Sequence, residues 1–159
     1  MEVVVLVGLQ GSGKSTFYRT FLADTHVLVS KDLLRNNRRP QRRQLQLVEE
    51  ALQGGRSVVV DNTNPTIEDR APLIDLARRH GSDVVGVYFV PELDACLERN
   101  RGRTGRGRVP DKALYITLKR LRPPTLDEGF DRLYRASVAP DGGFHVEDVR
   151  GEMELGDPM

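Results

Sequence analysis

Tryptophan is absent from the 159 residues, and cysteine occurs once, as Cys96. A lone cysteine excludes an internal disulfide and a zinc site built on several cysteines. It sits in the run Leu93–Leu97, a predicted helix, where burial as a small apolar filler is expected. No apolar run approaches the roughly 20 residues of a membrane span. Glu2 stands where a signal peptide carries positive charge, so the cytoplasm is the expected compartment. Internal repeats are missing, and no segment identifies a protein partner. A large excess of one charge is missing too: 24 Lys and Arg face 23 Asp and Glu, for a formal net charge of +1. That balance argues against a general polyanion coat. What is there has the composition of a soluble globular protein, 38% hydrophobic and 30% charged, long enough to bury a core as one domain.

The near-neutral total hides an uneven distribution. Arg35, Arg38, Arg39, Arg42 and Arg43 form one cluster, and Arg99, Arg101, Arg103, Arg106 and Arg108 another. These suggest local anion sites, with a solvated helix face the preferred reading for Arg42 and Arg43. After Pro140 the chain turns acidic, so residues 140–159 read as a tail beyond a domain over 1–139.

Short β-branched runs without alternation mark strands at Val3–Val7, His26–Val29, Ser57–Val60 and Val84–Val90, as expected when helices cover both faces of a sheet. Helices are predicted from Thr16 to Leu22 and over Gln41–Gln53, Glu92–Asn100 and Asp111–Leu121. Another is predicted to start at Asn64-Pro65, with Asn as cap and Pro in the first turn, and to stop at Gly81. This alternation implies an α/β fold with a doubly wound parallel sheet, which binds ligands at the carboxyl ends of its strands.

The first strand runs into Gly8–Ser15, G-L-Q-G-S-G-K-S, the phosphate-binding loop signature. Its glycines, Gly8, Gly11 and Gly13, let backbone N–H groups wrap a phosphate chain. Lys14 reaches the terminal phosphates, the Ser15 hydroxyl suits Mg²⁺, and the following helix turns its positive end to the anion. Ser12 and Thr16 complete the nucleotide-binding stretch. The second strand ends in Ser30-Lys31-Asp32-Leu33-Leu34-Arg35. Asp32 reads either as a carboxylate that orients or deprotonates an acceptor, or as a helix N-cap. Arg35, three residues on, reads as a clamp on an acceptor phosphate or as a partner of Asp32. Asp61 ends the third strand, as a carboxylate holding Mg²⁺ or its water does in such folds; the alternative is a cap for the Thr63–Pro65 turn. The segment Arg101–Arg108, bounded by helices, reads as a mobile lid whose arginines fold over a triphosphate, or as a loop that touches nucleic acid non-specifically.

Together, G-L-Q-G-S-G-K-S-T-F, S-K-D-x-x-R, D-N-T-N-P, R-N-R-G-R with V-P after it, and P-T-L-D-E-G-F (Pro124–Phe130) resemble the polynucleotide 5′-hydroxyl kinases of phage and animal end repair, over roughly residues 3–138. The resemblance implies a P-loop kinase-like three-layer sandwich with an Arg-rich lid at about 101–110. It implies ATP (or another NTP) and Mg²⁺ as cofactors, and 5′-hydroxyl DNA or RNA as the acceptor. By position, Lys14 and Ser15 match the triphosphate and Mg²⁺ residues and Asp32 the general base. Arg35 matches the arginine on the phosphate flanking the acceptor nucleoside, and Asp61 a supporting acid. Arg103 is the best match for the lid arginine counted from Arg99-Asn100. Counting back from Val109-Pro110 lands on Thr104, which leaves Arg106 and Arg108 open. No D-x-D-G phosphatase motif occurs, so a stand-alone kinase or one module of a larger enzyme is expected. Two rivals remain: a small-molecule kinase of the same fold, and a nucleotide-gated nucleic-acid-binding module without transferase activity.

Overall fold

The computed structural model describes residues 1–34 and 36–150, with Arg106 by its backbone alone. Its centre is β1 (Glu2–Val7), whose side chains alternate between two packed faces. Val3, Val5 and Val7 join one buried cluster, Val4 and Leu6 another. Six strands form one sheet in the order β2-β3-β1-β4-β5-β6, where β2 is His26–Val29, β3 Ser57–Asp61, β4 Asp83–Phe89, β5 Arg132–Val138 and β6 Phe144–Asp148. The first five run parallel; β6 is antiparallel to β5.

On one face lie α2 (Pro40–Gln53), α3 (Ile67–Arg79), α4 (Leu93–Arg101) and α5 (Asp111–Arg120), which contribute Val48, Leu73, Leu97 and Leu114 to the larger cluster. The other face is covered by α1 (Lys14–Phe17), which widens into a π-helical turn over Tyr18–Leu22. Phe144 meets Phe17, Phe21 and Phe89 there edge to face, as Phe89 does Phe17, while Phe17 and Phe21 are tilted at 56°, with centroids 4.9–6.4 Å apart in the contacting pairs. The layering is the α/β P-loop kinase fold.

Three expectations are corrected. The stretch from residue 140 is not a separate tail as far as Asp148: Phe144–Asp148 is a sheet strand, and a Cβ on Gly13 would lie 3.1 Å from Val138 and 3.2 Å from the Phe144 ring. The β5–β6 hairpin thus packs against the phosphate loop. Residues 151–159 lie outside the described residues. The predicted Thr16–Leu22 helix starts earlier, at Lys14, and is only partly α-helical. The α3 cap is Thr66, not Asn64. Thr66 is extended and forms a capping box with Asp69, while Asn64 takes a left-handed φ of 44° and donates its amide to the Leu6 carbonyl at 2.8 Å.

Candidate active site

The loop after β1 is held by its own backbone and by its neighbours. Gly8 N–H donates to the Thr63 carbonyl at 3.0 Å. Gly11 has φ 78°, and a Cβ there would stand 2.6 Å from the Cys96 carbonyl, so glycine is required. Cys96 is buried as expected; its thiol pKa is pushed up by desolvation. Arg99 grips the loop from α4, with Nη1 donating to the Gly11 carbonyl at 2.9 Å.

Lys14 lies across the loop. Its Nζ donates to the carbonyls of Gly8 and Leu9 at 3.0 and 2.6 Å and to Ser12 Oγ at 3.3 Å. Burial lowers its pKa from 10.5 to about 8; Asp61, Cys96 and Asp32 raise it in part, and Arg103 lowers it further. The next residue, Ser15, donates its hydroxyl to Asp61 Oδ2 at 2.8 Å, so Asp61 faces the phosphate loop and does not cap its own turn. Thr16 is exposed and accepts from Arg19 at 3.2 Å.

Asp32 sits in a 3-10 turn, Lys31–Leu34, just past β2. Ser30 starts that turn: its Oγ accepts from Asp32 N–H at 3.3 Å and its carbonyl accepts from Leu33 N–H at 3.1 Å. Across the cleft, Asn100 is fully buried and closes the Arg/Gly segment at its base. Its amide donates to the Val109 carbonyl at 2.7 Å and its carbonyl accepts from Val109 N–H at 3.0 Å. Within the segment, Arg103 donates to the Gly107 carbonyl at 3.4 Å.

One cavity of about 340 Å³ gathers these groups: Gly11, Lys14 and Ser15 from the loop, Lys31 and Asp32 from the turn after β2, Asp61–Pro65 from the end of β3, and Arg103 from the Arg/Gly segment. Arg35 and the Arg106 side chain fall outside the described residues. A Ser15 hydroxyl beside the Asp61 carboxylate is a hard-oxygen pair that suits Mg²⁺. Among the described residues no group of three or more His, Cys, Asp or Glu could hold a metal, so the remaining ligands of such an ion would come from water and phosphate.

Several side chains escaped sequence reasoning. Gln44 is 1% exposed in α2 and accepts from Asn62 Nδ2 at 2.6 Å, while Asn62 Oδ1 accepts from Lys31 N–H at 2.8 Å. The signal was a glutamine on the row Gln44-Val48-Leu52, otherwise a core face. Arg70 is fully buried, paired with both Glu128 oxygens at 2.8 and 3.0 Å, and donates to the Asn64 carbonyl at 3.0 Å. P-T-L-D-E-G-F is therefore architectural: Glu128 of that motif holds the D-N-T-N-P loop through Arg70. Gln10 reaches Thr117 of α5 at 3.1 Å, tying the phosphate loop to the helix after the Arg/Gly segment.

Fold and loop define the chain as a P-loop protein with the kinase-type α/β fold, its loop shaped to hold a phosphate chain. A family model described as AAA domain matches residues 3–124, and the chain belongs to that family. It is 32% identical over 133 residues to a bifunctional polynucleotide phosphatase/kinase of Schizosaccharomyces pombe, covering 81% of this chain but 32% of that protein. Among solved structures, a fungal RNA kinase superposes with TM-score 0.69 at 17% identity, over 87% of this chain and 76% of the other. A gluconokinase from Sinorhizobium meliloti 1021 superposes with TM-score 0.64 at 24% identity, over 87% and 83%. Among the described residues, no helix is long and apolar enough to cross a membrane.

Proposed function

We propose that this protein transfers the γ-phosphate of ATP to the 5′-hydroxyl end of DNA or RNA, in end healing or repair. The observation that carries the reading is the shared cavity: a carboxylate past β2, Asp32, borders the same space as Lys14, the Ser15–Asp61 pair and Arg103. Phosphoryl transfer needs positioning and charge neutralisation above all, and those groups supply both. The S. pombe relative, a polynucleotide phosphatase/kinase by name, points to the same acceptor.

In this reading Asp32 takes the proton of the 5′-hydroxyl. The freed oxygen bonds to the γ-phosphorus in line with the departing β–γ bridging oxygen, and ADP leaves. Lys14 and Arg103 neutralise charge on the migrating group, with Arg106 a second nucleotide contact. Ser15 and Asp61 would hold Mg²⁺, which when bound would supply further charge neutralisation. Arg35 clamps the phosphate next to the acceptor nucleoside, and residues 101–110 close as a lid from the base that Asn100 fastens.

The test is transfer of labelled γ-phosphate to a 5′-hydroxyl oligonucleotide by wild type and Asp32→Ala. Transfer is expected to fall at least 100-fold in the variant, with ATP affinity changed less than 3-fold, as for loss of a general base (~10²–10⁴). Full activity in the variant overturns the base assignment. Transfer to a nucleoside or sugar acid but to no oligonucleotide moves the protein to the small-molecule kinases.

A further inference from the structure

One exposed surface beside the cavity plays no part in the chemistry above. On α5, Lys112, Tyr115, Ile116 and Lys119 follow at helical spacing, and all are exposed. Tyr115 and Ile116 are 53% and 55% exposed, side by side on a helix whose core side carries Leu114 and Leu118. Arg120, one turn on from Ile116, borders the cavity with Thr117. It stands 3.8 Å from Asp69, a longer approach than a direct hydrogen bond. Asp111, the one carboxylate of α5, is turned to Arg101 at 3.0 Å. Just past the helix, exposed Arg122 fastens the cavity wall, its N–H donating to the Pro65 carbonyl at 2.8 Å. Lys112 and Lys119 thus flank Tyr115 and Ile116, so cations and flat apolar surface alternate along this face. Cations interleaved with an aromatic are what a phosphodiester strand with stackable bases requires.

We propose that this face of α5 is the track for the single-stranded nucleic acid whose 5′ end enters the cavity. Lys112 and Lys119 take phosphates, and Tyr115 with Ile116 takes bases. The proposal rests on the acceptor class proposed above. A ten-residue helix is about 15 Å long, room for only a few nucleotides. Affinity should therefore rise over the first few nucleotides of acceptor length and then level off.

The experiment uses the full chain. Fluorescence anisotropy measures binding of a 3′-labelled, 5′-hydroxyl 12-mer single strand against salt. Wild type is compared with Lys112→Glu/Lys119→Glu and with Tyr115→Ala, thermal melts checking the fold of each. The double charge reversal should weaken binding at least 10-fold and flatten the salt slope by about 1.4, at ~0.7 per single-strand phosphate contact. Tyr115→Ala should weaken binding at least 5-fold with the slope unchanged, as for loss of a stacked base. Transfer to a dinucleotide, too short to reach the track, should stay within 2-fold of wild type in every variant. Variants that bind the 12-mer as tightly as wild type overturn the track, even where wild type transfers phosphate to 5′-hydroxyl ends. A dimer that the charge reversals dissolve, with 12-mer binding unaltered, also overturns it and assigns the face to a second copy. Absence of transfer to any 5′-hydroxyl acceptor defeats the proposed function alone, and the anisotropy still decides the track.

Discussion

Lys14 is the residue with the most to lose from its position. The residue is buried, its ammonium is held by two carbonyls and a hydroxyl, and burial takes its pKa to about 8 against 10.5 in the unfolded chain. Between those values the unfolded state binds more protons, so stability rises with pH across that window, by about 3 kcal/mol in full, and is lost again as pH falls through about 8. A Lys14→Met variant lacks the buried charge. Its stability relative to wild type should therefore decline steadily from pH 8 to pH 10.5 in urea titrations. A difference that does not vary with pH would show that Lys14 titrates as a solvated lysine. The same shift has a binding counterpart: a triphosphate favours the charged ammonium, so nucleotide binding near pH 9 should take up a fraction of a proton. Calorimetry in buffers of different ionisation enthalpy reads that directly; zero uptake contradicts it. Residue identity at the strand ends was legible because phosphate chemistry demands it. Lys14, Ser15, Asp32, Asp61 and Arg103 do border one cavity. The residues that hold them were not legible. Gln44 and Arg70 are polar residues whose burial depends on partners 18 and 58 positions away.

At the scale of elements, two turns are fixed by buried polar side chains from other parts of the chain. Asn62 ties the 3-10 turn carrying Asp32 to α2 through Lys31 N–H and Gln44. Asn62→Ala leaves Gln44 unpaired and the turn unfastened, at a cost of about 1–3 kcal/mol. Because Asn62 acts through the turn, the acceptor KM should rise about 10-fold while the ATP KM changes little. An equal rise in both would mean a general loss of structure. The second fastening is Arg70–Glu128. Glu128→Ala strands a buried guanidinium and should cost about 3–5 kcal/mol, lowering Tm by at least about 6 °C for a domain of this size. Element prediction succeeded where the pattern was one-sided or continuous, as in β1 and β3. It missed β5 and β6 because charges interrupt them: Arg132 and Arg135 in β5, Glu147 and Asp148 in β6. It misplaced the α3 cap because Asn64-Pro65 is the stronger local signal. The left-handed turn at Asn64, bonded to Leu6 and Arg70, overrode that signal.

For the whole molecule, the β5–β6 hairpin is the feature that composition concealed. The acidity after Pro140 suggested a solvated tail, yet Phe144 packs on Phe17 at 5.3 Å, and the phosphate loop rests on Val138 and Phe144 at Gly13. Ending the chain at 139 should therefore lower both thermal stability and ATP affinity. Phe144→Ala isolates the packing and should cost about 2 kcal/mol, less than the ~3–5 kcal/mol of a fully buried phenylalanine. The cavity is bordered by the phosphate loop on one side, by Asp32 and D-N-T-N-P on the other, and by Arg103 and α5; in the proposed function the first side holds the phosphate donor and the second the acceptor.

The direct test of that arrangement is an end-labelling panel with labelled γ-phosphate ATP and Mg²⁺, using 5′-hydroxyl single-stranded, recessed, blunt and nicked acceptors in DNA and RNA beside free nucleosides. The account expects label at the 5′ end of oligonucleotides, dependent on Asp32 and at least 10-fold above nucleosides in kcat/KM. Label on nucleosides alone, or ATP and oligonucleotide bound with no product at any 5′ end, would contradict it.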